Sequence, residues 1–402
     1  MIYPANFEEK IGFDRIREQV TALCSTPSAK AKLAEEGFST SADEIERRLS
    51  LMNEMRSLLM LERDFPDGDY PDPAPLVAKI RVEGSYLLAA EADQLRKALV
   101  TVGAIAEFIL GRGGAHYPRL WELSRRVTLF PEIVRAIDAI LDDRGEVKDS
   151  ASPELQQVRR AIREREGQAA KRLQQVLQRA KQAGIVDADA VLSVRDGRPV
   201  IPVAAANKRK LQGFIHDESA TGRTFYVEPV EVVEINNELK ELEYAERREV
   251  VKVLSAFTES IRLDAEAIAD AGDYLSSVDM IRAKARWALA NDAGKPILST
   301  DDRLELRTAR HPLLQQTLRA QGREVVPLDL ALDRRKHILV ISGPNAGGKS
   351  VCLKTTGLMQ YLFQCGYPVP ASEVSELPVF RSIFIDIGDE QSIDDDLSTY
   401  SS

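Results

Sequence analysis

The sequence predicts a mostly α-helical protein with a small β unit in its middle and an α/β unit at its C-terminal end. Three observations carry this. Two long stretches, one starting at Pro153 and one at Pro229, space their apolar residues three and four apart. Between them the period changes to short apolar runs separated by turn residues. Near the end, residues 337–360 read HILVISGPNAGGKSVCLKTTGLMQ: an apolar run, a glycine-rich loop and a helical pattern.

The bulk numbers bound the classes. A chain of 402 residues has length for two to four domains. Its 44% hydrophobic and 29% charged residues suit a helix-rich globular protein, and 6% aromatics argue against a large β-sandwich. Cys24, Cys352 and Cys365 form no CxxC pair and, with four scattered histidines, no zinc pattern. Reduced, buried thiols are expected. The start, MIYPANFEEKIGFDRIREQV, has no apolar signal core, and no run of about 18 apolar residues occurs. A cytoplasmic protein with no membrane partner is expected.

Residues 1–150 read as helical scaffold, with loops at Pro27, at PDGDYPDPAP (66–75) and at 111–114. They contain no catalytic cluster. Ser152-Pro153-Glu154 is a helix start: a capping hydroxyl, a proline where no N–H is needed, and an acid at the positive end. The stripe Leu155, Val158, Ile162, Ala169, Leu173, Val176 and Ala180 follows, and Gly184 marks a stop. Thirty helical residues span about 45 Å. The second stripe runs Val232, Ile235, Leu239, Leu242, Val250, Leu254, Phe257, Ile261, Ala265 and Ile268. Stripes this long and narrow need a partner, and an antiparallel pair of arms is predicted.

Between the arms, AVLSV, RPVIPVAA, LQGFIH and RTFYVE read as four strands of a meander, with Asp196-Gly197 as the clearest turn. This tip carries Lys208, Arg209 and Lys210, with Arg195, Arg198 and Arg223 nearby. From Glu154 to Tyr226 there are 14 Lys and Arg against 8 Asp and Glu, a net of +6 in a chain of net −9, so the remainder carries −15. A basic tip on a stalk suits contact with a polyanion, because phosphate contacts need only cations within reach. A solvated basic face is the plainer alternative on charge alone.

An apolar strand is expected over 338–341. It leads into Gly343, Pro344, Asn345, Ala346, Gly347, Gly348, Lys349 and Ser350, which fit G-x-x-x-x-G-K-[ST] at every fixed position. Glycines let backbone N–H groups turn onto phosphate oxygens, Lys349 supplies charge for the β and γ phosphates, and the Ser350 hydroxyl suits Mg²⁺. The following helix directs its positive end at the same anion. ATP with Mg²⁺ is the expected ligand. In RSIFIDIGDEQ (381–391), Asp386 and Glu390 compete as a metal and base pair with a plainer solvated turn. A small-molecule kinase using Asp386 as metal ligand is a further alternative, which the long stalk disfavours.

GPNAGGKS resembles the phosphate loop of the MutS family, in which Asn follows Gly-Pro, and RHPLL (310–314) is similar to the motif that opens that family's ATPase domain. FYVEPVEVVEINNELKELE (225–243) and VDMIRAKARWALAND (278–292) resemble the type II branch, which lacks the N-terminal mismatch-reading domains. No Phe-x-Glu wedge is present. The resemblance covers nearly the whole chain from FDRIREQV onward. It implies a mostly α protein with a small β clamp and a C-terminal α/β P-loop ATPase domain of ABC type, truncated. The implied divisions are 1–150 helical core and lever, 151–235 clamp arm and basic tip, 236–295 returning lever helices, and 296–402 partial ATPase domain.

The resemblance further implies ATP-dependent DNA binding (branched DNA included), ATP hydrolysis, suppression of recombination, a homodimer and a C-terminal nuclease domain in the full-length protein. The alternative is a ribosome- or rRNA-binding ATPase acting on stalled or collided ribosomes. It places 384–402 upstream of the Walker B strand, so the 402-residue chain is expected not to hydrolyse ATP. Ser398, with Thr399, would reach the partner subunit's γ-phosphate in trans. Residues 324–326 lie near where the family holds the adenine.

Overall fold

The computed structural model describes residues 1–195, 197–343 and 348–386. These residues are mostly helical with small sheets, and fall into two compact units. Among them no helix is long and apolar enough to cross a membrane.

One unit comprises residues 79–93 and 132–263. Its outgoing arm is the helix Pro153–Gln182. The Ser152 hydroxyl accepts from the Leu155 N–H at 3.1 Å, and Pro153 takes the first helical position. Past the end, Gly184 adopts φ +63°, a left-handed stop. The returning arm is Val230–Ser260. The two run antiparallel, because partner numbers fall as the others rise: Arg159 to Glu246 at 2.7 Å, Arg165 to Glu238 at 2.8 Å, Arg179 to Glu231 at 3.8 Å.

The returning stripe was expected to continue to Ile268 in one helix. It breaks after Ser260, and a 3₁₀ turn, Arg262–Asp264, follows. The Ser260 hydroxyl donates back to the Phe257 carbonyl at 2.6 Å. The Arg262 guanidinium donates to the carbonyls of Ile80, Val82 and Ser85, which holds the turn in place.

The tip sheet contains Ser193–Arg195, Arg198–Ala204, Gly213–Glu218 and Thr224–Pro229. All four predicted strands form, but the order is first, second, fourth, third, which corrects the expected meander. The second and fourth strands, which carry the buried residues of the set, take the two central positions, with Val227 opposite Ile201 and Phe225 opposite Val203. The third strand lies outside it at the edge and exposes Phe214 and Ile215. Gly213 lets the two approach: a Cβ there would lie 2.2 Å from the Glu228 carbonyl oxygen. Leu173, Val176, Leu177 and Ala180 of the outgoing arm pack with Ile201, Val203, Val227 and Val232 into one small core.

The other unit comprises residues 1–78, 94–131 and 264–402. Pro27, expected in a loop, instead opens the helix Pro27–Glu35, because the Thr26 hydroxyl caps the Ala29 N–H at 3.0 Å and proline fits the first turn. The helix Ala265–Ala290 carries most of the VDMIRAKARWALAND segment and is buried over much of its surface. Asp279 and Arg282 are fully buried and joined at 2.8 Å. Asp279 also accepts from the Thr26 N–H and hydroxyl at 2.8 and 3.0 Å. Lys284 pairs with Glu36 and donates to the Gly366 carbonyl at 3.2 Å. A four-stranded sheet runs Ile297–Leu298, Glu376–Leu377, Leu304–Ala309, Leu328–Leu332. Separately, Ile2–Tyr3 pairs in parallel with Ile383–Phe384.

Candidate functional site

The loop helix, Lys349–Gln364, starts directly after the glycine-rich motif. Gly348 precedes it at φ +81°, a conformation that glycine takes without strain. Its cap residue is a glycine, which offers no side-chain cap, and its first turn holds no acid. The backbone N–H groups of a helix start are directed at whatever lies ahead, and the dipole there favours an anion. Lys349 adds a cation at the same end; its ammonium donates to the Gly343 carbonyl at 2.5 Å. Ser350 follows in the first turn. This donor set fits a phosphate group. Pro344, Asn345, Ala346 and Gly347 lie outside the described residues.

Beside Gly348 is a cavity of about 180 Å³. Val351, Cys352 and Thr355 of the loop helix line one part of it, His311, Leu314 and Leu318 another, and Val325, Val326 and Pro327 a third. Most of these groups are apolar, a lining suited to a flat ring. Burial pushes the His311 imidazole down to about 4, a shift only partly opposed by the Ile11 backbone, so the ring is neutral at pH 7. Cys24 and Cys365 are buried and burial pushes both thiols up to about 12; Cys352 is half-buried.

The expected strand over 338–341 does not form: these residues belong to no sheet among the described residues. Ile338 and Val340 are 76% and 83% exposed. An apolar run becomes a strand only where neighbours take its N–H and C=O groups, and the sheet nearest in sequence pairs its strands without this segment. Asp386 is exposed just past the strand Ile383–Phe384. Glu390, Ser398 and Thr399 lie outside the described residues.

At the tip, the six basic residues divide by environment. Arg195 pairs with Asp217 at 2.9 Å and lies 3.8 Å from the Tyr226 ring centroid. Arg198 donates to both oxygens of Glu228, at 2.9 and 3.0 Å, and to Asn237 at 2.9 Å. Lys208 sits 4.4 Å from the Phe225 ring centroid. Arg209, Lys210 and Arg223 are exposed. The structure thus brings Lys208, Arg209 and Lys210 together on one connection, while Arg198 is bound into the root of the sheet.

Sequence reasoning missed that root. Glu228 is 1% exposed and accepts from Asn236 at 2.7 Å and His216 at 2.5 Å as well as from Arg198. Burial pushes its carboxyl up, but the hydrogen bonds from Asn236, His216 and Arg198 outweigh this and hold it below the usual carboxylate range. The signal was present in FYVEPVEVVEINN: an acid in an apolar strand, eight residues before an asparagine on the helix that follows.

Comparison with known proteins agrees with these features. MutS domain V matches residues 339–402. Endonuclease MutS2 of Bacillus velezensis is 34% identical over 392 residues, 97% of this chain and 49% of its own length. Endonuclease MutS2 of Thermomicrobium roseum is 36% identical over 403 residues, 97% of this chain and 50% of its own. The Bacillus subtilis protein named putative endonuclease MutS2 is 34% identical over 97% of this chain. The chain therefore spans about half the length of the curated relatives it matches. With a phosphate loop opening a helix inside the MutS domain V match, and this similarity along nearly all its length, the chain belongs to the type II branch of the MutS family.

Proposed function

We propose that the protein is an ATP-dependent DNA-binding protein whose nucleotide site lies at residues 343–350 and whose DNA contacts lie on the basic tip. One observation supports this above the others. Gly348 starts an acid-free helix N-terminus carrying Lys349 and Ser350, next to an apolar cavity that suits a base. In this reading Gly343, Pro344, Asn345, Ala346, Gly347 and Gly348 wrap the phosphates, Lys349 holds the β and γ oxygens, and the Ser350 hydroxyl holds Mg²⁺. Val325, Val326 and Pro327 cover the adenine. ATP with Mg²⁺, when bound, supplies phosphoryl-transfer chemistry.

Lys208, Arg209, Lys210 and Arg223 contact phosphates, with Arg195 beside them, and Arg198 supports them from the root. Relatives carry the name endonuclease, and we extend nuclease activity, ATP hydrolysis, suppression of recombination and a homodimer with Ser398 acting in trans to the whole protein. The test is a competition among branched DNA, duplex DNA and ribosomes at fixed salt, using the full-length protein. DNA should displace labelled branched DNA. Ribosomes displacing it at far lower concentration than any DNA would overturn the reading in favour of a ribosome-bound ATPase.

A further inference from the structure

We propose that the exposed face of the outgoing arm between Lys171 and Gln182 is a second surface for the sugar-phosphate backbone of duplex DNA, separate from the basic connection of the tip. The inference rests on the DNA-binding reading above.

The two halves of the arm differ in how their charges are matched. In the proximal half the arginines meet acids. Arg159 pairs with Asp149 and Glu246, Arg160 with Glu164 at 2.9 Å, Arg163 with Asp149 at 2.8 Å, and Arg165 with Glu238 at 2.8 Å. The distal half reads KRLQQVLQRAKQ and contains no acid. Arg179 reaches Glu231 only at 3.8 Å, and Lys181 donates to the Ala188 carbonyl at 2.8 Å. Lys171 and Arg172 are exposed, and among the described residues neither forms an ion pair. A helix acting only as a solvated strut has no reason to exclude acids, and the proximal half of this one does not.

Packing fixes which way the distal charges face. Leu173, Val176, Leu177 and Ala180 are buried in the tip core, so the opposite side of the helix is turned to solvent. There Lys171, Arg172 and Arg179, with Gln174, Gln175, Gln178 and Gln182, share one open face of the helix. Arg172 and Arg179 are seven residues apart, about 10 Å along the axis. Duplex DNA carries one charge per about 1.7 Å of axis, so the two cations meet different phosphates. Glutamine amides between them donate to phosphate or sugar oxygens without reading sequence. A surface of cations and neutral donors, free of carboxylates, matches a polyanion along its length.

The test compares three full-length variants on one short duplex across a salt series: Lys171→Ala/Arg172→Ala/Arg179→Ala on the arm, Lys208→Ala/Arg209→Ala/Lys210→Ala on the tip, and Arg160→Ala as a proximal control. The changed side chains are exposed, so thermal melts by circular dichroism should match the wild type. The arm variant should weaken binding and flatten the dependence of log K on log salt by up to about 0.9 per lost contact, and Arg160→Ala should do neither. An arm variant with wild-type affinity and slope, beside a weakened tip variant, overturns the arm surface and leaves the DNA reading intact. Wild-type protein with no salt-dependent DNA binding overturns both. Duplex RNA bound more tightly than duplex DNA, with the same loss in the arm variant, overturns the assignment to DNA.

Discussion

His311 stands in the RHPLL segment, where sequence alone gave it only the role of a motif letter. It is 3% exposed and lines the cavity beside Gly348. Its folded value of about 4 lies below the ordinary 6.5. Between those values the unfolded chain binds the extra proton, so stability is complete above about pH 6.5 and falls as pH drops toward 4. At pH 5 the loss from this group is about 2 kcal/mol. Denaturant unfolding of wild type and His311→Gln at pH 7 and pH 5 checks it: the wild type should lose about 2 kcal/mol more than the variant over that step. Equal losses would contradict the burial argument. Asp279 and Arg282 give a second prediction. Asp279→Ala leaves Arg282 buried without its nearest acid, and the chain should lose about 3–5 kcal/mol. Asp279→Leu/Arg282→Leu should be milder than the single change, measured in the same unfolding series. Val325 and Val326, which only the family resemblance singled out, line the cavity beside Gly348. The satisfaction of Glu228 by three side chains was not legible in the sequence, since Arg198, His216 and Asn236 come from a neighbouring strand, the edge strand and a helix.

Helices were the most legible elements. The outgoing arm was located almost to the residue because its cap, proline and stop are local chemistry. Strand existence at the tip was equally local, but strand order was not. A period of two says which residues face inward and not which strands are neighbours. The run 338–341 failed for the related reason that apolarity without partners does not make a strand. Gly366 shows what remains invisible until packing is known. It sits just past the loop helix at φ +71°, and a Cβ there would lie 2.5 Å from the Arg48 Cβ. Gly366→Ala should therefore destabilise the chain by more than about 1 kcal/mol, through both strain and displacement of Arg48. A thermal midpoint unchanged from wild type would contradict this.

For the whole molecule, the sequence carried the family through a handful of segments, and the comparisons agree over 97% of the chain. The structure adds which of those segments hold the fold and which face outward. VDMIRAKARWALAND is largely buried, with Asp279, Arg282 and Lys284 paired among apolar neighbours, FYVEP contributes the root of the tip, and GPNAGGKS leads into a helix start. The tip prediction belongs to this scale: Lys208→Ala/Arg209→Ala/Lys210→Ala should weaken binding to DNA of any sequence by a similar factor, because phosphate contacts carry no sequence information. A loss confined to one sequence would contradict it. The central claim is that residues 343–350 hold a nucleotide. Titration of a fluorescent ATP analogue with Mg²⁺ into wild type and Lys349→Ala tests it most directly. Saturable binding to the wild type, weakened about tenfold to a hundredfold in the variant as a lost charge-assisted contact requires, is the result predicted here; equal affinity for the two proteins, or no binding to either, would contradict it.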